Sequence, residues 1–586
     1  MEPSRQLTAY LRPQAARAVG GFLCVVGYIV GSLYTPVLLR RLIDGLEQGT
    51  LDHAGLLRLL GALGGLGVFS FFVAIGMRRL LLGLANHVEY AIRRDVFDHL
   101  TRMDQAFYQR ERTGDLMTKM SSDLSAVREL VGQGLLQGSR MVVGFPLAFG
   151  VMFATNTRMA LIVTALLPFV SILFFFLMRL VRKYYERAQD QFSLISNFAQ
   201  ESFAGIRTLK GFGIEERQRG RFRALNEEYI RRNMTLTRIE EPVWPFMMFL
   251  YWVGAVLLLL TGGRQVLDNQ LTIGTYVQFQ QYLIFLQWPM LALGWTVNIL
   301  QRGLASWRRI RTILDARPDV ADPPALPDPG STRGDIEFRG VRLRRGGQLL
   351  LDGIDLRVPS GQCLALTGPT GSGKTLLMSL LVRLLDPDEG LVTIGGRDVR
   401  AWPLPSLRRR IALAPQEPFL FSDTLANNLA FGLEAREDAL TAHEERVAWA
   451  ARLAHLEQDV AGFPERYQTV LGERGVTLSG GQRQRTAIGR AVARQPDVLL
   501  LDDVFSAVDT QTEAKILEQL LPELRGRTSV LISHRVSTLR HADRIIVLEG
   551  GRITQDGSHA QLIAQPGYYR DLDEVQRLAA RLEENG

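Results

Sequence analysis

The sequence predicts a two-part protein: an all-α membrane domain of six spans, followed by an α/β domain built around a phosphate-binding loop. Three observations predict it. Six apolar stretches of bilayer length fill the first half of the chain, where about 20 residues suffice to cross. A proline- and glycine-rich segment, "ARPDVADPPALPDPGSTRGD", then breaks the helical pattern. Beyond it, short apolar runs alternate with helical patterns around "GPTGSGKT", Gly368 to Thr375. At 586 residues the chain also exceeds what one hydrophobic core organises.

The spans lie near 16–39, 56–80, 134–155, 159–181, 243–262 and 272–299. The third and fourth are joined only by "NTR" and its neighbours and form a tight hairpin. Residues 85–131 carry Arg93, Arg94, Arg102, Arg110, Arg112, Lys119 and Arg128, and residues 182–239 carry Arg182, Lys183, Arg207 and Arg217 among others. The positive-inside rule makes these the cytoplasmic sides. Both termini then face the cytosol, and the protein is expected as a multi-pass chain of the inner (plasma) membrane. Both basic stretches have helical periodicity and few breakers, so the helices are expected to run on beyond the bilayer. The expected organisation is a membrane domain over 1–315, a linker over 316–334, a nucleotide-binding domain over 335–575 and a helical tail over 576–586. Within the nucleotide-binding domain, "GQCLALTG", "RIALAPQ", "DVLLLDD", "TSVLISH" and "RIIVLEG" read as strands of a largely parallel sheet.

The net charge of +8 does not indicate a nucleic-acid partner, because the arginines of the first half flank apolar runs. The two cysteines, Cys24 and Cys363, fall in a span and in a buried strand, so no disulfide is expected. The start lacks the basic region, short apolar stretch and small-residue cleavage site of a removable signal peptide.

"GPTGSGKT" matches G-x-x-x-x-G-K-[ST] in the context that motif needs, after the strand "CLALT" and at the head of a helix. Gly368, Pro369, Thr370, Gly371, Ser372 and Gly373 form the loop, whose amides turn toward phosphate oxygens at the positive end of a helix. Lys374 is placed to neutralise the β- and γ-phosphates, and the Thr375 hydroxyl to ligate Mg²⁺. Lysine is scarce here beside arginine. Its retention in the loop indicates a need for a compact ammonium. Asp502 ends a later apolar strand, "VLLLD", and is placed to hold the same metal ion.

"LSGGQRQR" at Leu478–Arg485 makes the reading specific. With Pro415-Gln416, "SAVD" at Ser506–Asp509 and "SHR" at Ser533–Arg535, it resembles the nucleotide-binding domain of ATP-binding cassette (ABC) proteins, an α/β domain with a helical subdomain. Six spans ahead of one such domain resemble an exporter-type half transporter. The resemblance covers nearly the whole chain, and ATP and Mg²⁺ are the implied cofactors. "TGDLMTKMSSDLSAVRE" at 113–129 and "ESFAGIRTLKGFGIEER" at 201–217 resemble the family's two intracellular loops, each implied to carry a short coupling helix. The resemblance implies that Gln416 senses Mg²⁺ and the γ-phosphate, and that His534 contacts the γ-phosphate. It implies that Ser479, Gly480, Gly481 and Gln482 bind the γ-phosphate of ATP held by a second subunit, and that Asp509 reaches that opposite site. "LGERG" at Leu471–Gly475 resembles the loop that touches the intracellular helices.

Two positions depart from the family pattern. Arg345 stands where an aromatic residue usually stacks on adenine; a planar guanidinium there either stacks or stays solvated. Asp503 stands where the family has its catalytic glutamate. Aspartate is one methylene shorter, and about 1 Å of misplacement costs ~10²-fold in rate. The chain's own ATP site is therefore expected to bind nucleotide and hydrolyse it slowly. Its intact signature would complete the site of a second half transporter that carries the glutamate. This pattern resembles the degenerate-site subunit of bacterial heterodimeric exporters of drugs, lipids or peptides. A homodimeric exporter or flippase with two slow aspartate sites, and an ATP-gated channel or regulatory membrane protein, are the alternatives.

For the transport path, Gln278, Gln280, Gln281, Gln287 and Asn298 interrupt the sixth span, and Glu240 and Glu241 lie at the mouth of the fifth. Polar groups in hydrocarbon are expected to face the bundle interior or the partner. Trp244, Phe246, Phe249, Tyr251 and Trp252 form either an aromatic wall for amphipathic substrates or an ordinary packing and anchoring surface. The apolar residues Leu572, Val575, Leu578 and Leu582 of the tail recur at helical spacing, to pack on their own domain or on a partner's tail.

Overall fold

The computed structural model describes residues 7–322, 330, 334–433, 440–472, 475–524 and 526–584. Much of the 316–334 linker therefore lies outside the described residues, as do residues 473 and 474 of "LGERG". The chain separates into two units, one of Met1–Thr101 with Thr113–Ala316, the other of Arg102–Arg112 with Arg317–Gly586.

Among the described residues, the first unit holds six helices long and apolar enough to cross a membrane: Leu7–Glu47, His53–Leu100, Thr113–Thr155, Thr157–Ala204, Glu215–Leu267 and Ile273–Leu314. All six apolar stretches of the sequence fall on them. Each helix is far longer than a bilayer requires, because the basic stretches continue the helices instead of forming loops. The fifth span is interrupted where one helix ends at Glu240 and the next begins at Val243. Pro242 at the junction has no amide to donate to the preceding turn. The third contains two π-helical turns, Lys119–Asp123 and Leu130–Gly134. Next to the first, the carboxylate of Asp123, 2% exposed, accepts from Ser306 Oγ at 2.9 Å and pairs with Arg309.

Polar groups in the sixth span turn inward where they find partners. Gln278 is buried and donates to the Tyr282 hydroxyl at 2.9 Å, which itself donates to the Leu33 carbonyl at 3.1 Å. Trp244, Phe249 and Trp252 stay exposed on the single chain, whereas Tyr251 packs on the unit's core. Of the two short helices expected inside the intracellular stretches, Ile206–Phe212 lies within 201–217. The other, Gln105–Arg110, precedes 113–129 and not within it. Asp104 caps it by accepting from the Phe107 amide at 2.8 Å, and also accepts from the amide of Val320 at 3.2 Å.

The second unit carries two sheets. Strands β3 (Cys363–Thr367), β6 (Ile411–Ala414), β7 (Val498–Asp502), β8 (Thr528–Ile532), β9 (Arg544–Glu549) and β10 (Arg552–Gly557) form one sheet in the order β10-β9-β3-β8-β7-β6. Its pairs are parallel except β9 with β10. Every residue of β3, β7 and β8 is buried, as expected of central strands covered on both faces. An antiparallel sheet of β1 (Ile336–Arg345), β2 (Gln348–Val358), β4 (Glu389–Ile394) and β5 (Arg397–Asp398) runs in the order β2-β1-β4-β5. The tail is not a separate element: one helix, Tyr568–Glu584, crosses the expected 575/576 boundary. Tyr569, fully buried, and Leu572 pack it on the unit, while Val575, Leu578 and Leu582 face out.

Leu500 is fully buried at the centre of β7, in the hydrophobic core that also holds Leu366, Val530 and Ile532. Leu500→Ala is expected to cost roughly 2–5 kcal/mol. The check is thermal unfolding of the full-length protein, where unfolding of the second unit should move to lower temperature.

Candidate nucleotide site

The parallel sheet aims the C-terminal ends of β3, β7 and β8 at one cleft, the usual place for ligands in such sheets. The loop after β3 turns through Gly368, Gly371 and Gly373, all at positive φ. Two of these also sit against close neighbours, Gly368 against backbone and Gly373 against a side chain. A Cβ on Gly368 would lie 2.0 Å from the Leu548 carbonyl oxygen, and one on Gly373 would lie 2.7 Å from Leu351 Cδ2. The loop ends at the helix Lys374–Leu381. Lys374 folds back, its Nζ donating to the carbonyls of Gly368 and Pro369, each at 2.8 Å, and lying 3.4 Å from Ser372 Oγ.

Across the cleft, Thr375 Oγ1 donates to Asp502 at 2.9 Å. Asp503 follows with φ +46, its amide bonded to the Ile532 carbonyl at 3.0 Å. Asp and Asn tolerate this left-handed backbone better than other side chains do. His534 follows β8 on the third strand end. Thr370, Gly371, Gly373, Lys374, Thr375, Gln416, Asp502, Asp503 and His534 line one open cleft of about 370 Å³. Leu350, Leu376 and Ile532 complete its wall. None of these three was singled out from the sequence, because an apolar residue on a strand or helix carries no local site signal.

The electrostatics follow from burial. Burial pushes the Lys374 ammonium down, against the pull of Asp503 and Asp502. Burial pushes Asp502 up, helped by the charge of Asp503 and opposed by the Thr375 hydroxyl. Asp503 is raised by burial too, opposed by His534, Arg535 and Lys374. His534 is lowered by burial and by Lys374. Two carboxylates thus share one ammonium in a poorly hydrated place, which favours an added divalent cation. The Asp502 carboxylate, Thr375 hydroxyl and Gln416 amide are hard oxygen donors of the kind Mg²⁺ takes.

Two groups of expected site residues stand elsewhere. Arg345 does not line the cleft; its guanidinium donates to the Arg344 carbonyl at 3.0 Å. Ser479, Gly480, Gly481 and Gln482 open a different helix, Gly480–Ala493, where Ser479 and Gln482 form a reciprocal capping box. Its glycines press on the loop after β7: a Cβ on Gly481 would lie 3.1 Å from the Ala507 carbonyl oxygen. Gln484 grips that loop, donating to Ser506 Oγ at 2.7 Å and accepting from the Ala507 amide at 2.8 Å.

Fold and cleft together define an ATPase domain joined to a six-helix membrane domain. Residues 19–290 match the ABC transporter transmembrane region and residues 351–506 the ABC transporter domain. The chain is 34% identical over 583 residues to the multidrug resistance-like ATP-binding protein MdlA of Escherichia coli, covering 99% of this chain and 97% of that one. It is 33% identical over 481 residues to an ATP-dependent lipid A-core flippase of Desulfotalea psychrophila, covering 82% and 83% of the two chains. It superposes with a TM-score of 0.77 on a bacterial Atm1-family ABC exporter solved with ATP bound, at 25% identity over 96% of this chain and 99% of that one. The chain belongs to the ABC transporter family. It is an ATP-hydrolysing exporter that carries its membrane and ATPase domains on one polypeptide.

Gly368→Ala forces either the loop or the Leu548 carbonyl to move, a strain of about 1–3 kcal/mol. Titration of the full-length protein with a fluorescent ATP analogue should show binding weakened about 5- to 150-fold.

Proposed function

We propose that this chain is the slow-site half of a heterodimeric exporter of hydrophobic or amphipathic molecules. The observation that carries the reading is Asp503 in a cleft whose other parts are complete: loop, lysine, threonine, metal-side aspartate and histidine all line it. Lys374 would hold the β- and γ-phosphates once they draw its ammonium off the loop carbonyls. Thr375 and Asp502 would hold Mg²⁺, with Gln416 beside them, and the ion would supply charge neutralisation at the phosphates. His534 would meet the γ-phosphate. Leu350 would back the nucleoside, with Arg345 left in solvent.

Hydrolysis needs a carboxylate against the attacking water, and the shorter Asp503 would hold its oxygens back from that place. Ser479 and Gly481 would lie on the γ-phosphate in the partner's site, where a glutamate would do most of the turnover. ATP-driven closure of the paired ATPase domains and their reopening after hydrolysis would alternate access to the membrane cavity. The names of the relatives, a drug-resistance protein and a lipid flippase, support a drug or lipid as cargo. The arginines at the cytoplasmic sides support an inner-membrane chain with both termini in the cytosol.

The test is Asp503→Glu in the isolated full-length chain. Restored reach is worth up to ~10²-fold in rate, about 2.7 kcal/mol. The left-handed backbone charges a glutamate about 1–2 kcal/mol at most, so lengthening wins. Net of that cost about 0.7–1.7 kcal/mol remains, so ATPase activity should rise about 3- to 18-fold. A parent chain that forms symmetrical pairs and already turns over ATP briskly would refute the reading.

A further inference from the structure

The histidine loop is held from a place no motif marks. Gln576 lies on the C-terminal helix, 42 residues beyond His534. Its Nε2 donates to the His534 carbonyl at 2.6 Å, and its Oε1 accepts from the Val536 amide at 2.9 Å. These two groups flank Arg535, so one carboxamide clamps the backbone across the loop between β8 and the short helix Val536–Leu539. The clamp uses a donor and an acceptor on one planar carboxamide, which Gln and Asn side chains offer, and Asn is a methylene shorter. The helix bearing Gln576 is itself fixed, with Tyr569 fully buried and Leu572 packed beside it. On the other side of the loop, the Ser533 amide bonds the Leu366 carbonyl at 3.3 Å and Arg535 donates to the Val508 carbonyl at 3.0 Å.

We propose that Gln576 is a positioning residue for His534, so that the C-terminal helix sets where the histidine meets the γ-phosphate. This rests on the reading of His534 given above and adds to it a control point outside the recognised motifs. A loop released by the loss of both bonds lets the ring drift by a fraction of an ångström to about 1 Å, which is costly at a phosphoryl-transfer site. ATP binding, carried by the loop after β3, stays as it was.

The experiment is single-turnover hydrolysis of radiolabelled MgATP by the purified full-length chain, comparing parent, His534→Ala, Gln576→Leu and the double variant. Gln576→Leu should lower the rate constant ~10- to ~100-fold with the ATP concentration for half-saturation within about twofold. In the double variant it should cause no loss beyond that of His534→Ala. Gln576→Glu keeps the acceptor for Val536 but replaces the donor with a carboxylate oxygen that repels the His534 carbonyl, so it should also lower the rate if the leucine variant does not fold. A slow His534→Ala beside a Gln576→Leu at the parent rate overturns the positioning role while sparing the histidine. Losses that multiply in the double variant also overturn it. So does a Gln576→Leu chain that melts early yet hydrolyses at the parent rate. A His534→Ala chain at the parent rate removes the underlying reading of the histidine, and the proposal falls with it.

Discussion

Everything at the site depends on one constraint: Lys374, Asp502 and Asp503 are gathered where a parallel sheet ends and little water reaches. Burial disfavours all three charges, raising both carboxylates and lowering the ammonium. The bond from Thr375 to Asp502 and the return of Lys374 to its own loop's carbonyls are the partial remedies that the chain supplies. A bound triphosphate with its cation would supply the rest. Asp502, Thr375 and Gln416 line the same cleft as Lys374, so an anion arriving with a divalent metal would meet partners for both charges there.

The parts of this fold that show in the sequence are those whose signal is local. Each membrane span is a continuous apolar run, and each central strand is a short one, so length alone separates them. The glycine loop and the signature segment are fixed by close backbone approaches, at Gly368 to Leu548 and at Gly481 to Ala507. Such approaches leave glycines at set spacing. What could not be read depends on residues distant in sequence. β1 and β2 do alternate, as in Ile336-Glu337-Phe338-Arg339 and Ile354-Asp355-Leu356-Arg357-Val358, but their grouping with β4 and β5 into a separate antiparallel sheet joins segments that no local signal links. Arg345 sits at the end of β1, and only the tertiary structure turns it to the Arg344 carbonyl and away from the cleft. Leu350 and Gln576 look like ordinary strand and helix residues until the fold brings them to the site. The short helix Gln105–Arg110 was displaced from its expected place because Asp104 caps it there and at the same time receives the Val320 amide, a contact more than 200 residues away.

Asp503 shows how a backbone preference and a chemical requirement compete at one residue. Its left-handed φ suits aspartate. The hydrolytic role in this family asks for the longer acid. The conformational gain is the smaller of the two energies, so it does not by itself explain the residue. An aspartate here makes functional sense if slow turnover is tolerated at this site or useful to the pair.

Under the proposed reading of Asp503, the hydrogen bonds around the cleft would give a physical reason for a slow site to be kept. Three side chains each grip a loop from another element. Gln484 holds Ser506 and Ala507, Arg535 holds Val508 and pairs with Glu513, and Gln576 holds His534 and Val536. The chain of contacts runs from the signature helix, through the loop after β7, to the histidine loop. In the proposed pair, the signature helix serves the partner's ATP and the histidine serves this chain's own. In that pair, a shift of His534 on meeting a γ-phosphate would act on Val508 through Arg535, and from there on the Ala507 backbone that abuts Gly481. Glu513, 1% exposed and bonded also to Ser537 at 3.1 Å, stops Arg535 from giving way. A site that retains its ATP would hold this linkage in one state while the partner turns over, and slow hydrolysis would then serve the cycle rather than impair it.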